Sequence, residues 1–421
     1  MENLSYAFCL AVECERIMTH PKPSSRALDY HANPTPGKIE IHITKSTQSQ
    51  EDLALAYSPG VAEPVIAIAE NPEAAYQYTA KGNLVGVITN GSAILGLGDL
   101  GPLASKPVME GKAALFKKFA GIDVFDIEVQ ADSIDSFIDT VANIAPTFGG
   151  INLEDIKAPD CFIIEKALQE RLDIPVFHDD QHGTAVSIAA GLINACEIQG
   201  KPLAECKICC IGAGAAAIAS MKFLHRLGAP MENIYLTDSK GLITTKRDGL
   251  NPYKQAFAQD CDDSTLACAI KDADILIGLA GPDLVTPSML KTMASNPIIF
   301  TLSNPNPEID YHLAKKVRPD GIIATGRSDL PNQINNVLCF PYIFKGALTA
   351  RSSCIDFAMQ KAAAYAIAGV AKLPVPEALK QRYSSSQSWE FGKEYIIPMA
   401  LDPRLSAIVT DAVIKAATAS A

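Results

Sequence analysis

The fold of this chain is decided by the stretch Lys207-Ile-Cys-Cys-Ile-Gly212-Ala-Gly214-Ala-Ala-Ala217. Its apolar beginning predicts a buried strand, and the small residues after Gly214 predict the first turn of a helix. Gly212 permits a tight turn between them, Gly214 lets the backbone approach a pyrophosphate, and Ala217 allows the helix to pack closely on the strand. The free N–H groups of that helix would bind the phosphates. The stretch therefore predicts a dinucleotide-binding turn.

An acidic residue follows this turn at the spacing that a dinucleotide site requires. Asp238 lies about 20 residues further on, after a predicted strand over residues 233–237, where its carboxylate can accept a hydrogen bond from a ribose hydroxyl. The nearby residues that could instead bind the 2′-phosphate of NADP are Ser239, Lys240, Lys246 and Arg247. The spacing does not decide between the two cofactors. We assign Asp238 and Lys240 to the cofactor site and expect NADP, with NAD as the alternative.

Strands and helices alternate along most of the chain, which predicts an α/β fold. Apolar runs that predict strands cover residues 84–89, 207–211, 233–237, 275–279, 298–302 and 321–325, and helical patterns cover residues 133–145, 180–196 and 216–226. Such apolar strands are typical of a parallel, doubly wound sheet. We therefore predict an N-terminal α/β substrate domain over residues 1–180 and a C-terminal Rossmann-like domain with C-terminal helices over residues 181–421. Residues 1–35 are expected to be irregular.

Length and charge narrow the class of protein. A chain of 421 residues exceeds one ordinary core, so two domains are expected. The net charge of −11 argues against nucleic acid or an anionic membrane as the main partner. We find no apolar run long enough to span a bilayer and no secretory signal, and the odd count of 11 cysteines is typical of reduced thiols. These features predict a cytoplasmic enzyme.

Acidic residues cluster in two turns that precede the dinucleotide-binding stretch. They lie in Asn152-Leu-Glu-Asp-Ile156 and in His178-Asp-Asp-Gln-His-Gly-Thr184. Carboxylates in turns are typical ligands of hard divalent cations. The two histidines imitate a zinc-protease motif, but that motif requires both histidines on one helix, whereas a strand is predicted to end at Phe177. The carboxylates are therefore the better candidate ligands.

Together with further blocks along the chain, these motifs resemble the malic enzyme family. The blocks are Ala56-Tyr57-Ser-Pro-Gly-Val-Ala62, Ile94-Leu-Gly-Leu-Gly-Asp-Leu-Gly101, Gly111-Lys112-Ala-Ala-Leu-Phe116, Asn152-Leu-Glu-Asp-Ile156, His178-Asp-Asp-Gln-His-Gly-Thr184, Leu302-Ser-Asn304-Pro305 and Asn335-Asn336. The likeness runs in order from about residue 30 to about residue 400. It is closest to the compact bacterial type, which includes the malic portion of hybrid enzymes with a phosphotransacetylase-like domain.

The resemblance implies oxidative decarboxylation of L-malate to pyruvate and CO2 with reduction of NAD(P), and also decarboxylation of oxaloacetate. By resemblance, Mg²⁺ or Mn²⁺ is held by Glu154, Asp155 and Asp180 and stabilises the enolate as a Lewis acid. Lys112 corresponds to the base that deprotonates the C2 hydroxyl, and Tyr57 to the acid that protonates C3. The base must be neutral, and burial beside a cation would lower its pKa. A homodimer or higher homo-oligomer is expected.

Other residues receive supporting roles from the same resemblance. Asp179 would orient the base or the metal ligands. The substrate and the nicotinamide ribose would be contacted by Asn304, Asn335 and Asn336. Larger malic enzymes carry an arginine just before the Ile-Leu-Gly-Leu-Gly-Asp block, where this chain, like the compact relatives, lacks it and has Ser92-Ala93. The group that binds the C4 carboxylate of malate is therefore unassigned.

Two other classes of protein remain open. An amino-acid dehydrogenase also joins a substrate domain and a catalytic lysine to a later Rossmann domain, but it needs no metal, so chelation would distinguish it. A nucleotide-binding regulatory module would bind the cofactor without turning over any C4 acid. The presence of Tyr57, Lys112 and all three metal ligands argues against that second alternative.

Overall fold

The computed structural model describes residues 25–94, 96–383 and 388–420. The helices are α1 (Ser25–Ala32), α2 (Gln50–Ala56), α3 (Ala62–Glu70), α4 (Ala75–Tyr78), α5 (Pro102–Ala120), α6 (Ile134–Ile144), α7 (Asp160–Arg171), α8 (Asp179–Gln199), α9 (Ala215–Arg226), α10 (Pro252–Gln255), α11 (Leu266–Ile270), α12 (Pro287–Lys291), α13 (Tyr311–Val317), α14 (Phe340–Thr349), α15 (Phe357–Ala371), α16 (Glu377–Lys380) and α17 (Arg404–Ser420). The strands are β1 (Leu84–Thr89), β2 (Asp123–Glu128), β3 (Gly150–Leu153), β4 (Val176–His178), β5 (Ile208–Ile211), β6 (Ile234–Asp238), β7 (Gly241–Leu242), β8 (Ile275–Gly278), β9 (Ile298–Thr301) and β10 (Ile322–Thr325). None of the described helices combines the length and the apolar character needed to cross a bilayer.

The beginning of the chain differs in part from the predicted irregular stretch over residues 1–35. Residues 1–24 lie outside the described part, but residues 25–32 form α1, so the prediction is wrong there. The prediction relied on prolines, and these flank α1 without falling inside it. A proline interrupts a helix only from within, so α1 can form between them. This segment belongs to a compact unit that ends at Ile43.

The first sheet is parallel and has four strands in the order β2-β1-β3-β4. β1 is buried at every residue, whereas the edge strand β2 is partly exposed. The helices α5, α6 and α7 follow β1, β2 and β3 in turn, as the crossovers between parallel strands require. Because the strands are parallel, the loops that follow them all leave from the same edge of the sheet.

The second sheet has six strands in the order β10-β9-β8-β5-β6-β7. Its neighbours pair in parallel, except that β7 is antiparallel to β6. The strand order reverses at β5, which lies between β6 and β8. Ligands bind in the crevice that such a reversal opens beyond the carboxyl ends of the strands, and Gly212 directly follows β5 there. The predicted α/β fold with a Rossmann-like parallel sheet is confirmed.

A buried helix, α8, leads from the first sheet towards the second. It begins directly after β4 and is buried along most of its length. Its small residues let neighbouring elements approach closely, and a Cβ on Gly191 would lie 3.4 Å from the ring of Phe300 in β9. The side-chain amide of Asn194 donates to the carbonyl of Ala368 at 2.8 Å and to that of Ile396 at 2.7 Å. α8 therefore anchors the C-terminal part of the chain.

The helices that follow the second sheet pack back onto the first sheet. Phe340 in α14 contacts Phe116 of α5, with ring centroids 4.8 Å apart, and Phe344 contacts Phe177 of β4 at 5.8 Å. The C-terminal helices thus complete the core around the first sheet as well. The predicted domain boundary after residue 180 falls within the first turn of α8 and stays a prediction.

Candidate functional site

Lys112 lies at the centre of the candidate site, enclosed by carboxylates and an aromatic ring. It projects from α5 and is only 6% exposed. Its Nζ donates to Asp179 Oδ2 at 2.6 Å and lies 2.8 Å from Glu154 Oε1. The ring centroid of Phe340, a residue that the sequence did not indicate, lies 4.0 Å from the same nitrogen. Contacts from three elements therefore hold the ammonium in one position.

The two acidic turns meet because neighbouring strands carry them. β3 and β4 are adjacent and parallel, with Leu153 opposite His178. Glu154-Asp155 and Asp179-Asp180 follow these two residues directly, so all four carboxyl groups leave the same edge of the sheet. Asp155 has a left-handed φ of 52°, and its N–H donates to Asp180 Oδ2 at 2.8 Å. This bend directs one acidic turn towards the other.

The predicted metal ligands lie in one cluster. Carboxylate oxygens of Glu154, Asp155 and Asp180 all lie within 4.8 Å of one another. The side-chain amide of Asn152 donates to Glu154 Oε2 at 2.8 Å and so orients that carboxylate. Carboxylate oxygens are the ligands that Mg²⁺ and Mn²⁺ prefer. The donor set therefore fits a hard divalent cation.

The electrostatics of the cluster fit a cation as well. Burial raises the pKa of Glu154 and of Asp179 to about 7 and that of Asp180 to about 6, although Lys112 acts in the opposite direction. Burial alone would lower the pKa of Lys112, but its carboxylate neighbours outweigh burial and raise it. This differs from the predicted lowering, since two carboxylates lie within hydrogen-bond distance of the ammonium. A divalent cation would supply the positive charge that the carboxylates lack.

The two adjacent asparagines take different positions. A Cβ on Gly183 would lie 3.3 Å from Asn336 and would overlap Asp179 Oδ1, at 1.8 Å. Asn336 thus lies beside the acidic corner, which is the turn from β4 into α8 that carries Asp179 and Asp180. Only glycine fits at position 183, between Asn336 and Asp179. Asn335 uses its side-chain oxygen to accept a hydrogen bond from the N–H of Val337 at 2.9 Å, which caps a short 3₁₀ turn.

The glycine-rich loop after β1 links the acidic cluster to Asn304. The N–H of Ala93 donates to the carbonyl of Asp155 at 3.0 Å. A few residues later, a Cβ on Gly96 would lie 3.3 Å from the main-chain oxygen of Asn304. Asn304 follows β9 in the second sheet, and its side-chain nitrogen lies 2.6 Å from the Cβ position of Gly326. The loop therefore contacts Asp155 through Ala93 and lies beside the main chain of Asn304 at Gly96.

The predicted dinucleotide-binding turn has the geometry that its role requires. Gly212 has a φ of 113°, and a Cβ there would lie 2.7 Å from the carbonyl oxygen of Leu279. A Cβ on Gly214 would meet no described atom within 4 Å, so this position is open to a pyrophosphate. α9 begins at Ala215 without a side-chain cap, and Ala217 is buried against the sheet. The first N–H groups of α9 are therefore available to a phosphate.

Asp238 lies at the end of β6 among basic residues. Its Oδ2 accepts hydrogen bonds from Arg247 at 2.9 Å and from Lys254 at 2.8 Å, and its Oδ1 accepts one from the N–H of Lys240 at 2.9 Å. Burial would raise the pKa of Asp238, but these hydrogen bonds outweigh burial and hold it well below its usual value. The side chain of Lys240 is exposed, and Lys246 pairs with a different carboxylate. The sequence did not indicate Lys254, because only the fold brings it to Asp238.

Tyr57 is exposed, whereas Lys112, Glu154 and Asp155 are buried. It directly follows α2, and 77% of it is exposed to solvent. Neither α2 nor α3, the helices on either side of it, contains a buried residue. The apolar Leu55 and Val65 in these helices are also more exposed than buried. The structure of one chain therefore leaves the predicted acid on the surface.

Comparison with known proteins identifies the family. The family model of the malic enzyme N-terminal domain matches residues 36–134 and 128–169, and that of the malic enzyme NAD binding domain matches residues 181–380. The NADP-dependent malic enzyme of Halomonas elongata is 58% identical over 94% of this chain and 93% of its own length. The NAD-dependent malic enzyme of Rhizobium meliloti is 52% identical over 94% of this chain and 51% of its own length, so this chain spans about half of that relative.

Solved structures agree with this assignment. The malic enzyme from Pyrococcus horikoshii Ot3 has a TM-score of 0.84 at 44% identity and covers 94% of this chain and 90% of its own. The NAD-dependent malic enzyme from Thermotoga maritima has a TM-score of 0.81 at 41% identity, over 90% of this chain and 96% of its own. Matched domains, close relatives and solved structures thus agree over nearly the whole chain. The chain belongs to the malic enzyme family.

Proposed function

We propose that this chain catalyses the metal-dependent oxidative decarboxylation of L-malate to pyruvate and CO2, with reduction of NAD(P). The observation that carries the proposal is the buried ammonium of Lys112, bound to Asp179 and Glu154 at the edge of the acidic cluster. Oxidation of a 2-hydroxy acid requires a base for the hydroxyl proton, and loss of CO2 requires a positive centre beside the C2 oxygen. The same positive centre would support decarboxylation of oxaloacetate.

We assign Glu154, Asp155 and Asp180 as the ligands of Mg²⁺ or Mn²⁺. When bound, the ion supplies a Lewis acid that polarises the C2 oxygen and stabilises the negative charge left by the departing CO2. The surrounding residues would hold the ligands in place for it. Asn152 orients Glu154, and the N–H of Asp155 orients Asp180. Such outer contacts fix the direction of ligand oxygens and support metal affinity.

Lys112 would take the proton of the C2 hydroxyl as hydride leaves C2 for the nicotinamide. The ammonium must first release one of its own protons to solvent. A cation bound by Glu154 and Asp180 would weaken their attraction for the ammonium and would so lower the pKa of Lys112. Asp179, which accepts from Nζ at 2.6 Å, would keep the amine directed at the substrate. We place Asn336 beside this pair as a substrate contact.

We propose NADP as the preferred cofactor. In an NAD site, the carboxylate at the end of the second strand accepts a hydrogen bond from the ribose 2′-hydroxyl. Here the Oδ2 atom of Asp238 is already bound by Arg247 and Lys254. Arg247 and Lys254 together carry two positive charges, and the carboxylate of Asp238 balances only one of them. A 2′-phosphate would supply negative charge and further acceptor oxygens to both of them.

Replacing Lys254 by glutamine is expected to lower kcat/KM for NADP by about 10- to 100-fold and to change that for NAD little. A hydrogen bond to a charged group contributes about 1.5–3 kcal/mol, and only NADP carries the phosphate. The measurement compares initial rates with both cofactors at fixed malate and Mn²⁺. Lys246→Gln is the matched control, because Lys246 pairs with Asp262 instead. An equal loss with both cofactors would contradict the assignment.

Removal of divalent cations is expected to abolish cofactor reduction by malate. Purified enzyme treated with EDTA should lose activity and regain it with Mn²⁺, whereas Asp180→Asn should need about tenfold more Mn²⁺ or stay inactive, because a ligand is lost. The readout is the absorbance of NADPH at fixed malate. An amino-acid dehydrogenase would keep its activity with its own substrate in EDTA. A regulatory module would bind NADP but turn over no C4 acid, and either result would refute the proposed function.

We propose that Tyr57 acts in the active site of a second copy of the chain, so that the enzyme is a homodimer or a higher homo-oligomer. A tyrosine that is 77% exposed is poorly placed to protonate an enolate within its own chain, since that step needs a site shielded from water. Exposed apolar residues flank it in α2 and α3, namely Leu53, Leu55, Val65 and Ile66. Such a surface is typical of an interface. Packing it against a partner's acidic cluster would bury these residues and Tyr57 together.

A further inference from the structure

A buried carboxylate without a role in this mechanism lies behind the acidic corner. Glu165 projects from α7 and is almost completely buried. Its carboxylate accepts hydrogen bonds from the N–H of His178 at 2.9 Å and from Gln181 Nε2 at 3.2 Å, and it lies 2.9 Å from His182 Nε2. An ionised carboxylate can only accept, so the imidazole must donate here. All three donors belong to the short segment where β4 ends and α8 begins.

Glu165 caps the start of α8 from a neighbouring helix. His178 is the N-cap residue of α8, and its side chain makes no capping hydrogen bond. The Glu165 carboxylate instead binds the backbone N–H of His178, as the third residue of a capping box would do from within one helix. A negative charge near the N-terminus of α8 also interacts favourably with the helix dipole. Glu165 therefore sets where and in which direction α8 begins.

A second contact of Glu165 tethers α8 to α7 through the side chain of His182, and it is also rigid. The ring of His182 packs on the ring of Phe177, with centroids 5.3 Å apart. Phe177 in turn packs on Phe344 of α14, so its own position is fixed by the core. Because the ring is held by Phe177 on one side and by Glu165 at Nε2, it cannot turn freely. The pair therefore fastens the first turn of α8 to α7.

The two carboxylates of the acidic corner, Asp179 and Asp180, extend from the turn that Glu165 holds. Asp179 reaches Lys112 at 2.6 Å, and Asp180 accepts from the N–H of Asp155 at 2.8 Å. A Cβ at Gly183, one turn along α8, would overlap Asp179, so the turn has little room to move. One short turn thus carries Asp180, the proposed cation ligand, and Asp179, the partner of the proposed base. A small rotation of the turn would displace both of them.

We propose that Glu165, acting with His182, is a positioning residue for the cation and for Lys112. It touches neither of them and acts by fixing the corner from which Asp179 and Asp180 extend. An apolar residue of similar volume would pack at this place without the desolvation that a carboxylate brings, but it would leave the three donors without an acceptor. The inference rests on the proposed function, because it requires Asp180 to bind the cation.

Glu165→Gln tests this role directly. Glutamine keeps the size of the side chain but removes its negative charge, so the charge-assisted hydrogen bonds to this position become weaker, and one of the two acceptor oxygens becomes an NH2 donor. Mn²⁺ binding, followed by the electron paramagnetic resonance of the free ion, should weaken by about 10- to 100-fold, as expected for partners that orient metal ligands. The affinity for NADPH should stay close to that of the wild type. Turnover should fall more at limiting than at saturating Mn²⁺.

A neighbouring residue on α7 provides the matched control. Gln169 lies one turn further along α7 and donates to the carbonyl of Val176 in β4 at 3.0 Å, so Gln169→Ala removes a tether between the same elements but not at the corner. It should bind Mn²⁺ like the wild type. If Glu165→Gln also does, or if it loses NADPH and Mn²⁺ binding to the same extent, the positioning role is wrong.

A second variant covers the case in which Glu165→Gln does not fold. His182→Ala removes one of the tethers and leaves the carboxylate with its other donors, so it should weaken Mn²⁺ binding in a folded protein. Unchanged binding in His182→Ala would overturn the inference. The proposed cation site, and this inference with it, would be refuted if the wild type bound no Mn²⁺. They would also be refuted if Asp180→Asn bound Mn²⁺ as tightly as the wild type does. If the wild type binds Mn²⁺ more tightly than Asp180→Asn does, but Glu165→Gln and His182→Ala bind it like the wild type, only the role of Glu165 is refuted.

Discussion

Replacing Lys112 by methionine is expected to lower kcat for malate oxidation by about a thousandfold or more, because the C2 hydroxyl would lose the proposed base for its proton. Methionine nearly keeps the length of the side chain and can pack on the ring of Phe340, which lies 4.0 Å from Nζ. The measurement is NADPH formation in a single turnover at saturating malate and Mn²⁺. The loss should appear in kcat rather than in KM, since the base acts in the chemical step.

Binding measurements separate the loss of the base from the loss of the site. Lys112→Met should still bind NADPH, and it should bind Mn²⁺ at least as well as the wild type, because the carboxylates no longer share their charge with an ammonium. Lys106→Met is the matched control, since Lys106 lies on the same helix but pairs with Asp126 in β2. Near-normal turnover of Lys112→Met would contradict its role as the base. Loss of Mn²⁺ binding would mean that the lysine supports the ligands instead.

The parts of this site that follow local rules were predictable from the sequence. Gly212 and Gly214 occur in a strand, turn and helix whose spacing alone indicates a phosphate-binding turn, and the structure has these elements in that order. The chemistry of the acidic turns indicates candidate ligands for a divalent cation. Their meeting requires only that β3 and β4 be neighbours in a parallel sheet, since both turns then leave the same edge.

The supporting residues could not be found in this way. Glu165 lies in an ordinary helical segment, where a carboxylate usually faces water, and only the packing of α7 on β4 buries it. The tertiary fold brings Lys254 to Asp238 and Phe340 to Lys112. No pattern in the sequence indicates either contact. Tyr57 was assigned by family resemblance alone, because a tyrosine before Ser-Pro-Gly would otherwise indicate a simple turn. The resemblance does not predict that Tyr57 is exposed in the single chain.

Mixed dimers of Tyr57→Phe and Lys112→Met chains are expected to regain activity that each variant alone lacks. If Tyr57 serves the partner's site, one site of a mixed dimer carries both substitutions and the other carries neither. Random association of equal amounts makes about half of the dimers mixed, so about a quarter of the wild-type activity should return. The measurement is malate turnover by two differently tagged chains that are produced together. Dimers purified through both tags should reach about half of the wild-type activity.

A second pair of variants distinguishes exchange of Tyr57 from general recovery on mixing. Lys112 and Asp180 belong to the same corner of one chain, since Asp179, which precedes Asp180, binds Lys112 at 2.6 Å. In a mixed dimer of Lys112→Met and Asp180→Asn each site lacks one residue, so no activity should return, whereas Tyr57→Phe with Asp180→Asn should recover. Activity in the first pair would mean that mixing alone restores turnover, so that recovery in the other pairs would not support exchange of Tyr57. No activity in either pair with Tyr57→Phe would mean that the tyrosine serves its own chain. The segment around α2 and α3 would then have to fold over its own acidic cluster, and its exposed apolar surface would need another partner.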